Sequence, residues 1–494
     1  MTVLLTLLAT VAPVLIIVVV IAKLLTLYRQ RRYLQLAFED FSGPKPHWWH
    51  GNLEELRGDY EGMLRISRYA NQYDGAFPVW VGVGDAFLMS VHPSTARTLL
   101  SGTDPKDEFS YALMRPWIGD GLLLSKGEKW ARTRALVTPA FHTNLLKHST
   151  DIFRDCTNIL VRKLRASEGP QEMFHHTSLL TMDSMMRCLF GYETNCQLDR
   201  ERHPYIQGVY DVSELIVKRI MTPLHHNDII YSLSQDGKRF KAACDSIHEH
   251  SRRIVRHRRK LLETEDPGCR SMDFLDILMT SKDSDGQTLS RQEILDEVDT
   301  FMFAGHDSTS SALTWSLWHL AKNTQHQDTC RAEVDDVMGD REDITWDDVS
   351  KLEFLTLCVR ESLRLLPPVP SISRYTQREI TLPDGRVVPK GIRVTVSLFA
   401  LHRNPDVWQE PEVFDPYRFS NEDMGASDFF LTFSMGPRRC VGKSFAMLQV
   451  KLVIAMILRH FRLSITPGRP AQPESSLILR SKDGVYLNME NLRP

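Results

Sequence analysis

One stretch of the chain has residue types and spacing that could do chemistry. FSMGPRRCVG, residues 433–442, places Cys440 beside Arg438 and Arg439, just ahead of KSFAMLQVKLVIAMILRHF, which has a helical pattern. Backbone N–H groups and the dipole at a helix N-terminus favour negative charge, so a thiol there is stabilised as thiolate. Arg438 adds positive charge, and Gly436 permits a tight turn. Such a thiolate is a nucleophile or a metal ligand. The alternative is a small buried residue in a core.

A nucleophile needs a base, and no His or Asp is patterned to serve Cys440 as one. A single thiolate suits haem iron, because the porphyrin supplies the in-plane ligands. Three other groupings have a chemical reading. AGHDST (304–309) puts Gly305, Asp307, Ser308 and Thr309 among apolar neighbours. Glycine within a helix costs about 1 kcal/mol against alanine, and Ser or Thr can bond back to the preceding turn. The stretch reads as a packing kink, or as an opening that admits a small ligand with an acid and hydroxyls beside it to relay protons. ESLR (361–364) sets Glu361 and Arg364 on one helix face, ordinarily a surface ion pair. KWARTR sets Trp130 and Arg134 on one face and alone says little.

Most of 128–365 has helical periodicity. The longest segment, 289–323, opens with Ser290 and Glu293 as a capping box and makes a rod of roughly 50 Å. FPVWVGVGDAFLMSV (77–91) alternates and reads as a hairpin. Its GVG is no dinucleotide site, because Phe87 holds the third glycine position and no helix follows. Residues 378–402 read as strands with a turn at PDG, and SSLILRSKDGVYLNM as a second hairpin. The expected class is mainly α with minor β.

Residues 3–22 carry no charged side chain, Lys23, Arg29, Arg31 and Arg32 follow, and about 20 apolar residues match one membrane crossing. A cleaved signal would have a basic start and a shorter apolar run. The reading is a retained anchor over 1–23, a basic, Pro-containing linker over 24–50 and a globular body over 51–494, with the body on the cytosolic side. The 494 residues carry a net charge of -2, which argues against nucleic acid as a partner. The eight cysteines form no CxxC pair, so neither a disulfide framework nor a zinc site is expected. The basic run 250–260 reads as a solvated helix face, and HEH at 248–250 is not read as a metal site.

Together the motifs resemble those of the cytochromes P450. FSMGPRRCVG is similar to that family's FxxGxRxCxG at every fixed position, ESLR to its ExxR, FDPYRF (414–419) to its FxPxRF, AGHDST to its oxygen-binding helix and Trp130–Arg134 to its WxxxR. The resemblance covers essentially the whole chain. It implies the P450 fold behind one transmembrane helix. It also implies haem b held by Cys440 as axial ligand, with Trp130, Arg134, Arg374 and Arg438 on the propionates. Asp307, Ser308 and Thr309 become the proton-delivering residues. Glu361, Arg364 and Arg418 become a structural cluster, and Phe301, Ala304 and Gly305 substrate-facing positions.

The stretches around these motifs resemble family-4 members, ω-hydroxylases of fatty acids and eicosanoids. Many of those have glutamate where this chain has Ala304, and that carboxylate forms an ester with a haem methyl. Alanine implies non-covalent haem and a looser pocket. Ser308 stands where threonine is usual. The resemblance implies an endoplasmic reticulum membrane protein taking NADPH-derived electrons from NADPH–cytochrome P450 reductase, with cytochrome b5 as a second candidate donor, and acting on a lipid-like substrate. The competing activities are oxidation of other apolar compounds, xenobiotic or sterol-like, and isomerisation of lipid peroxides.

Overall fold

The computed structural model describes residues 2–198, 203–264, 272–420 and 426–492. Its axis is the helix Arg291–Lys322, opened by the expected capping box, in which Ser290 Oγ accepts from Glu293 N and the Glu293 carboxylate from Ser290 N. Val298, Met302, Leu313, Trp315 and Leu317 are all fully buried on it. A helix buried along most of its length belongs in the middle of a domain. It packs on Met173–Phe190, Gln235–Thr264 and Lys443–His460. Against the first of these, its small polar residues bond across the interface: Thr177 Oγ1 lies 2.9 Å from Ser310 Oγ and 2.8 Å from Thr314 Oγ1.

The helix is continuous through AGHDST, and Gly305 lies close to a neighbouring helix. A Cβ on Gly305 would sit 2.9 Å from Met185 Sδ of the neighbouring helix. Ser308 Oγ donates to Ala304 O at 2.7 Å, the back-bond its position invites.

The hairpin over 77–91 is Ala76–Val81 with Asp85–Ser90, Phe77 opposite Met89. Arg393–Ser397 joins Asp85–Ser90 in parallel, and Ser371–Tyr375 completes the sheet. Both faces of the hairpin are covered. Ala76, Trp80, Ala86 and Leu88 meet Leu34, Phe38 and Phe41, while Phe77, Val79, Phe87 and Met89 meet Ile66 and Ala400. The period of two thus splits one hairpin between two apolar clusters. The N-terminal helix therefore does not stop at the apolar run. It spans Thr2–Ala37, and its end is packed against this sheet. Pro13–Ala37 is long and apolar enough to cross a membrane.

The second hairpin differs from expectation. Pro473–Ser475 pairs with Leu479–Ser481, and the chain then turns at Gly484 so that Tyr486–Asn491 joins a different sheet, against Phe461–Ile465. The KDG turn links two sheets rather than two strands of one. The basic run lies on the helix Gln235–Thr264 with Arg252, Arg253 and Arg256 exposed, but Arg258 is buried and donates to Asp276 Oδ1 at 2.8 Å and Phe190 O at 2.6 Å.

Glu361 and Arg364 are no surface pair. Both side chains are 0% exposed. Arg364 clasps both carboxylate oxygens, at 2.7 and 2.8 Å, and also donates to His402 O, Pro411 O and Val413 O. Arg418 Nε adds a third cationic contact to Glu361 Oε1 at 3.1 Å, and Asp415 N donates to the same oxygen. Removing one partner of a buried pair costs about 3–5 kcal/mol. Arg364→Met is expected to abolish recovery of folded, haem-loaded protein. Arg418→Met, at the cluster's more open edge, leaves a destabilised but folded chain. Thermal unfolding by circular dichroism and haem content per chain check the order.

Candidate active site

Cys440 lies in a loop whose shape is set by its own backbone. Cys440 N donates to Phe433 O at 2.9 Å and Arg439 N to Gly436 O at 3.1 Å. Gly436 has φ +67°, and a Cβ there would fall 2.5 Å from Leu100 O, so only glycine fits. Thr432 Oγ1 donates to Leu363 O at 3.1 Å, tying the loop to the helix that carries Glu361 and Arg364. The loop ends at Gly442, the N-cap of Lys443–His460.

The thiol opens onto an internal cavity of about 460 Å3. Burial pushes the Cys440 thiol up, while the Gly442 N–H, Arg134 and Lys443 pull it back. This corrects the expectation that Arg438 supplies the nearby charge. Arg438 turns away, donating to Thr103 O and Ser125 O, with its guanidinium 4.4 Å from the Trp130 ring centre. A thiolate in such a setting needs a cationic partner, and iron is one. A larger cleft of about 830 Å3, between Tyr60 and Trp318, contains no part of this machinery.

Beside the cavity stands a group of three cations, Lys106, Arg374 and Arg438, with Asp104 and Asp107 nearby but no carboxylate in direct ion-pair contact among the described residues. Lys106 and Arg438 line it. Arg374 is buried at 1% exposure, donates only to Ser373 O and leaves Nε and Nη2 without partners. Burial, then Arg374 and Arg438, holds the Lys106 ammonium well below its usual range. Burial and Arg374 together lower Arg438 to about 10. The neighbouring acids are spent on other donors: Asp104 accepts from Gln377 N, and Asp107 from Phe109 N, Ser110 N and Ser110 Oγ. A group bearing carboxylates would complete this cluster, so the haem propionates fit. Arg134, also on the cavity wall, donates to Arg439 O at 2.9 Å.

On the long helix, Phe301, Ala304, Gly305, Ser308 and Thr309 all face the cavity. Asp307 does not. One residue turns a helix by about 100°, and the Asp307 carboxylate points to the helix's other side, where Arg480 Nη2 donates to Oδ1 at 2.5 Å. The expected acid–hydroxyl pair is therefore split, with the hydroxyls at the cavity and the acid behind them. Sequence reasoning missed Lys106, Phe141, Leu477 and Ile478 on the wall, and Arg480 behind it. None belongs to a short motif.

A family model described as cytochrome P450 matches residues 41–489. Cytochrome P450 4F11 of Homo sapiens is 42% identical over 468 residues, covering 91% of this chain and 89% of that protein. Cytochrome P450 4A12 of Rattus norvegicus is 40% identical over 491 residues, covering 98% and 96%. Leukotriene-B4 omega-hydroxylase 3 of Mus musculus is 41% identical over 469 residues.

The unpartnered guanidinium of Arg374 gives a two-sided expectation, because a buried charge costs stability until an anion joins it. Arg374→Met should raise the unfolding temperature of the haem-free chain and speed haem transfer to an acceptor apoprotein. Calorimetry of the first and stopped-flow measurement of the second check the pair. A fall in haem-free stability would mean that the arginine is structural.

Proposed function

Because the chain belongs to the cytochrome P450 family and is a haem-thiolate monooxygenase, we propose that it hydroxylates long-chain fatty acids or eicosanoids at or near the ω carbon. Haem, when bound, supplies oxidation of a C–H bond by O2, one oxygen atom entering the product and the other leaving as water, with two electrons and two protons consumed. Cys440 Sγ would hold the iron. Arg374, Arg438, Lys106 and Arg134 would take the propionates, with Trp130 backing Arg438. Arginine's fork suits a planar carboxylate.

The carrying observation is the cavity wall. Cys440 shares it with Phe141, Leu189, Val217, Ile220, Leu477 and Ile478, an apolar share interspersed with serine and threonine hydroxyls. The apolar share of that lining suits an alkyl chain. Ser308 Oγ donates into its own helix and so presents lone pairs to the cavity. It and Thr309 are the groups able to pass protons there. Relatives that include a leukotriene-B4 omega-hydroxylase support the lipid substrate.

Ala304 offers only a methyl to the cavity, which supports non-covalent haem. The exposed apolar face of Pro13–Ala37 supports a single-pass anchor. The cations after residue 22 support a cytosol-facing body, and the likeness to family-4 relatives supports an endoplasmic reticulum membrane with NADPH–cytochrome P450 reductase as donor and cytochrome b5 as a second candidate.

Turnover with reductase, NADPH and a panel of long-chain fatty acids is expected to place the new hydroxyl at or next to the terminal carbon by mass spectrometry, with no product from Cys440→Ala. Hydroxyls scattered along the chain would mean a pocket too wide for end-on entry. Absence of any fatty-acid product, with a haem-thiolate CO spectrum intact, would move the assignment to other apolar compounds. Separately, acid solvent should extract haem from the wild type but not from Ala304→Glu, in which the carboxylate returns to the cavity wall.

A further inference from the structure

Two segments of the chain each serve two spaces. Leu365 and Leu366 line the larger cleft between Tyr60 and Trp318, and two residues further on Pro368, Val369 and Pro370 line the cysteine cavity. Likewise Gln472, Pro473 and Glu474 line the cleft, while Ser476, Leu477 and Ile478 line the cavity. A hydrogen bond knits the two segments together, Leu479 N donating to Pro368 O at 2.7 Å. They form a septum, with the cleft on one face and the cavity on the other.

The cleft encloses about 830 Å3, within the size of pockets that hold small ligands. Trp318, Leu366, Phe414 and Pro473 give it an apolar share. Among the described residues that line it, Arg403 is the one whose charge is buried, at 5% exposure. Its Nε donates to Glu412 Oε1 at 2.8 Å, and its Nη1 to Leu365 O at 2.6 Å and Phe399 O at 3.4 Å. Nη2 is left without a hydrogen bond. Lys322 and Lys482 are exposed at the cleft without a carboxylate partner among the described residues, the first with its ammonium 5.2 Å from the Trp318 ring centre. Of the acids there, Asp59 is paired with Arg57, Glu61 with Arg68 and Glu412 with Arg403, and Glu474 is exposed. An unspent guanidinium nitrogen beside apolar side chains suits a carboxylate joined to a hydrocarbon.

We propose that this cleft is a second binding site, for a long-chain carboxylate, and that its occupancy is felt in the cysteine cavity through the septum. The carboxylate takes Arg403 Nη2, with Lys322 and Lys482 adding positive charge, and the chain lies on Trp318, Leu366 and Phe414. Arg403 also holds Leu365 O, so a pull on its guanidinium reaches the septum directly. Binding at the cleft is independent of the reaction, whereas its effect on turnover rests on the monooxygenase reading of the cavity.

The test uses full-length, haem-loaded protein whose cavity is first filled with an alkyl azole that ligates the iron. Titration calorimetry with hexadecanoate is then expected to show one further equivalent bound. Binding should be about tenfold weaker in the double variant Lys322→Glu, Lys482→Glu, and weaker again in Arg403→Gln. Hexadecanol, with the same chain and no charge, should bind the wild type no better than hexadecanoate binds the double variant. Linkage requires the cleft ligand to change the affinity of the cavity ligand. Hexadecanoate should therefore shift azole affinity by about fivefold more in the wild type than in the double variant, because any competition inside the cavity is common to both. In the azole-filled wild type it should also change amide hydrogen exchange over 473–479. If Arg403→Gln does not retain haem, the double variant carries the comparison. Absence of a further equivalent, or hexadecanol binding as tightly as hexadecanoate, would overturn the site. An equal shift in azole affinity in the two proteins would overturn the coupling. A filled cleft in a protein that hydroxylates no fatty acid would sink the lipid reading of the cavity and leave the second site standing.

Discussion

The contact on which the rest depends is the buried clasp of Glu361 by Arg364. Burying two charges is expensive, and the attraction between them alone often fails to repay it. This pair is repaid by what else the guanidinium does. It collects three carbonyls, from His402, Pro411 and Val413, inside a stretch without regular structure, the last of them shared with Arg418. No other side chain has enough donors in one plane. The clasp is then relayed to the cysteine loop. Burial, then Arg364 and Arg403, lowers His402 to about 3, so its ring stays neutral and Nε2 can accept from Leu431 N at 3.1 Å. Leu363 O takes the Thr432 hydroxyl directly. The position of Cys440 is therefore fixed by polar contacts running back to a rigid helix, and the loop can stay open to a cavity without collapsing into it.

Seen electrostatically, the polypeptide around that cavity is unfinished. Cations stand together on one side, and Arg374 has donors without acceptors. On the other side is a thiol whose burial opposes ionisation. Each imbalance is the complement of one part of a haem: carboxylates for the cations, iron for the thiolate. A chain built this way carries a penalty that its cofactor removes, so binding and stability are linked.

What could be read from the sequence was what is local. The long helix announces itself through its capping box and its length, and the first hairpin through alternation. Cys440, Glu361–Arg364 and Trp130–Arg134 were legible because each sits in a short fixed spacing. Arg480 was not, because its partner lies 173 residues away and nothing in LILRSKDG marks it. Lys106 likewise becomes meaningful only when the fold sets it beside Arg374 and Arg438. The second hairpin was misjudged because a KDG turn specifies a reversal but not which sheet receives the next strand. The orientation of Asp307 was not legible for a different reason. A motif gives the order of residues, whereas function depends on the angle each occupies around the helix, and 307 and 308 look to different sides.

The same angular logic bears on how narrow the pocket is. Gly305 and Ala304 are both small. Gly305 also lies against Met185 of the neighbouring helix, so a larger residue there would have to displace that side chain. Ala304 faces the cavity and leaves room there. A wall that loses a tether at one point keeps its shape if its other members cannot move. Phe301, one turn away, is held by two rings, Phe141 stacked at 5.7 Å and Phe274 at 4.4 Å. Such aromatic contacts add about 0.5–1.5 kcal/mol each beyond their buried area. Phe141 in turn meets Phe445 of the helix that follows Cys440. The aromatic cluster therefore joins the long helix to the cysteine helix on one flank of the cavity, and holds the wall beside the residue at 304.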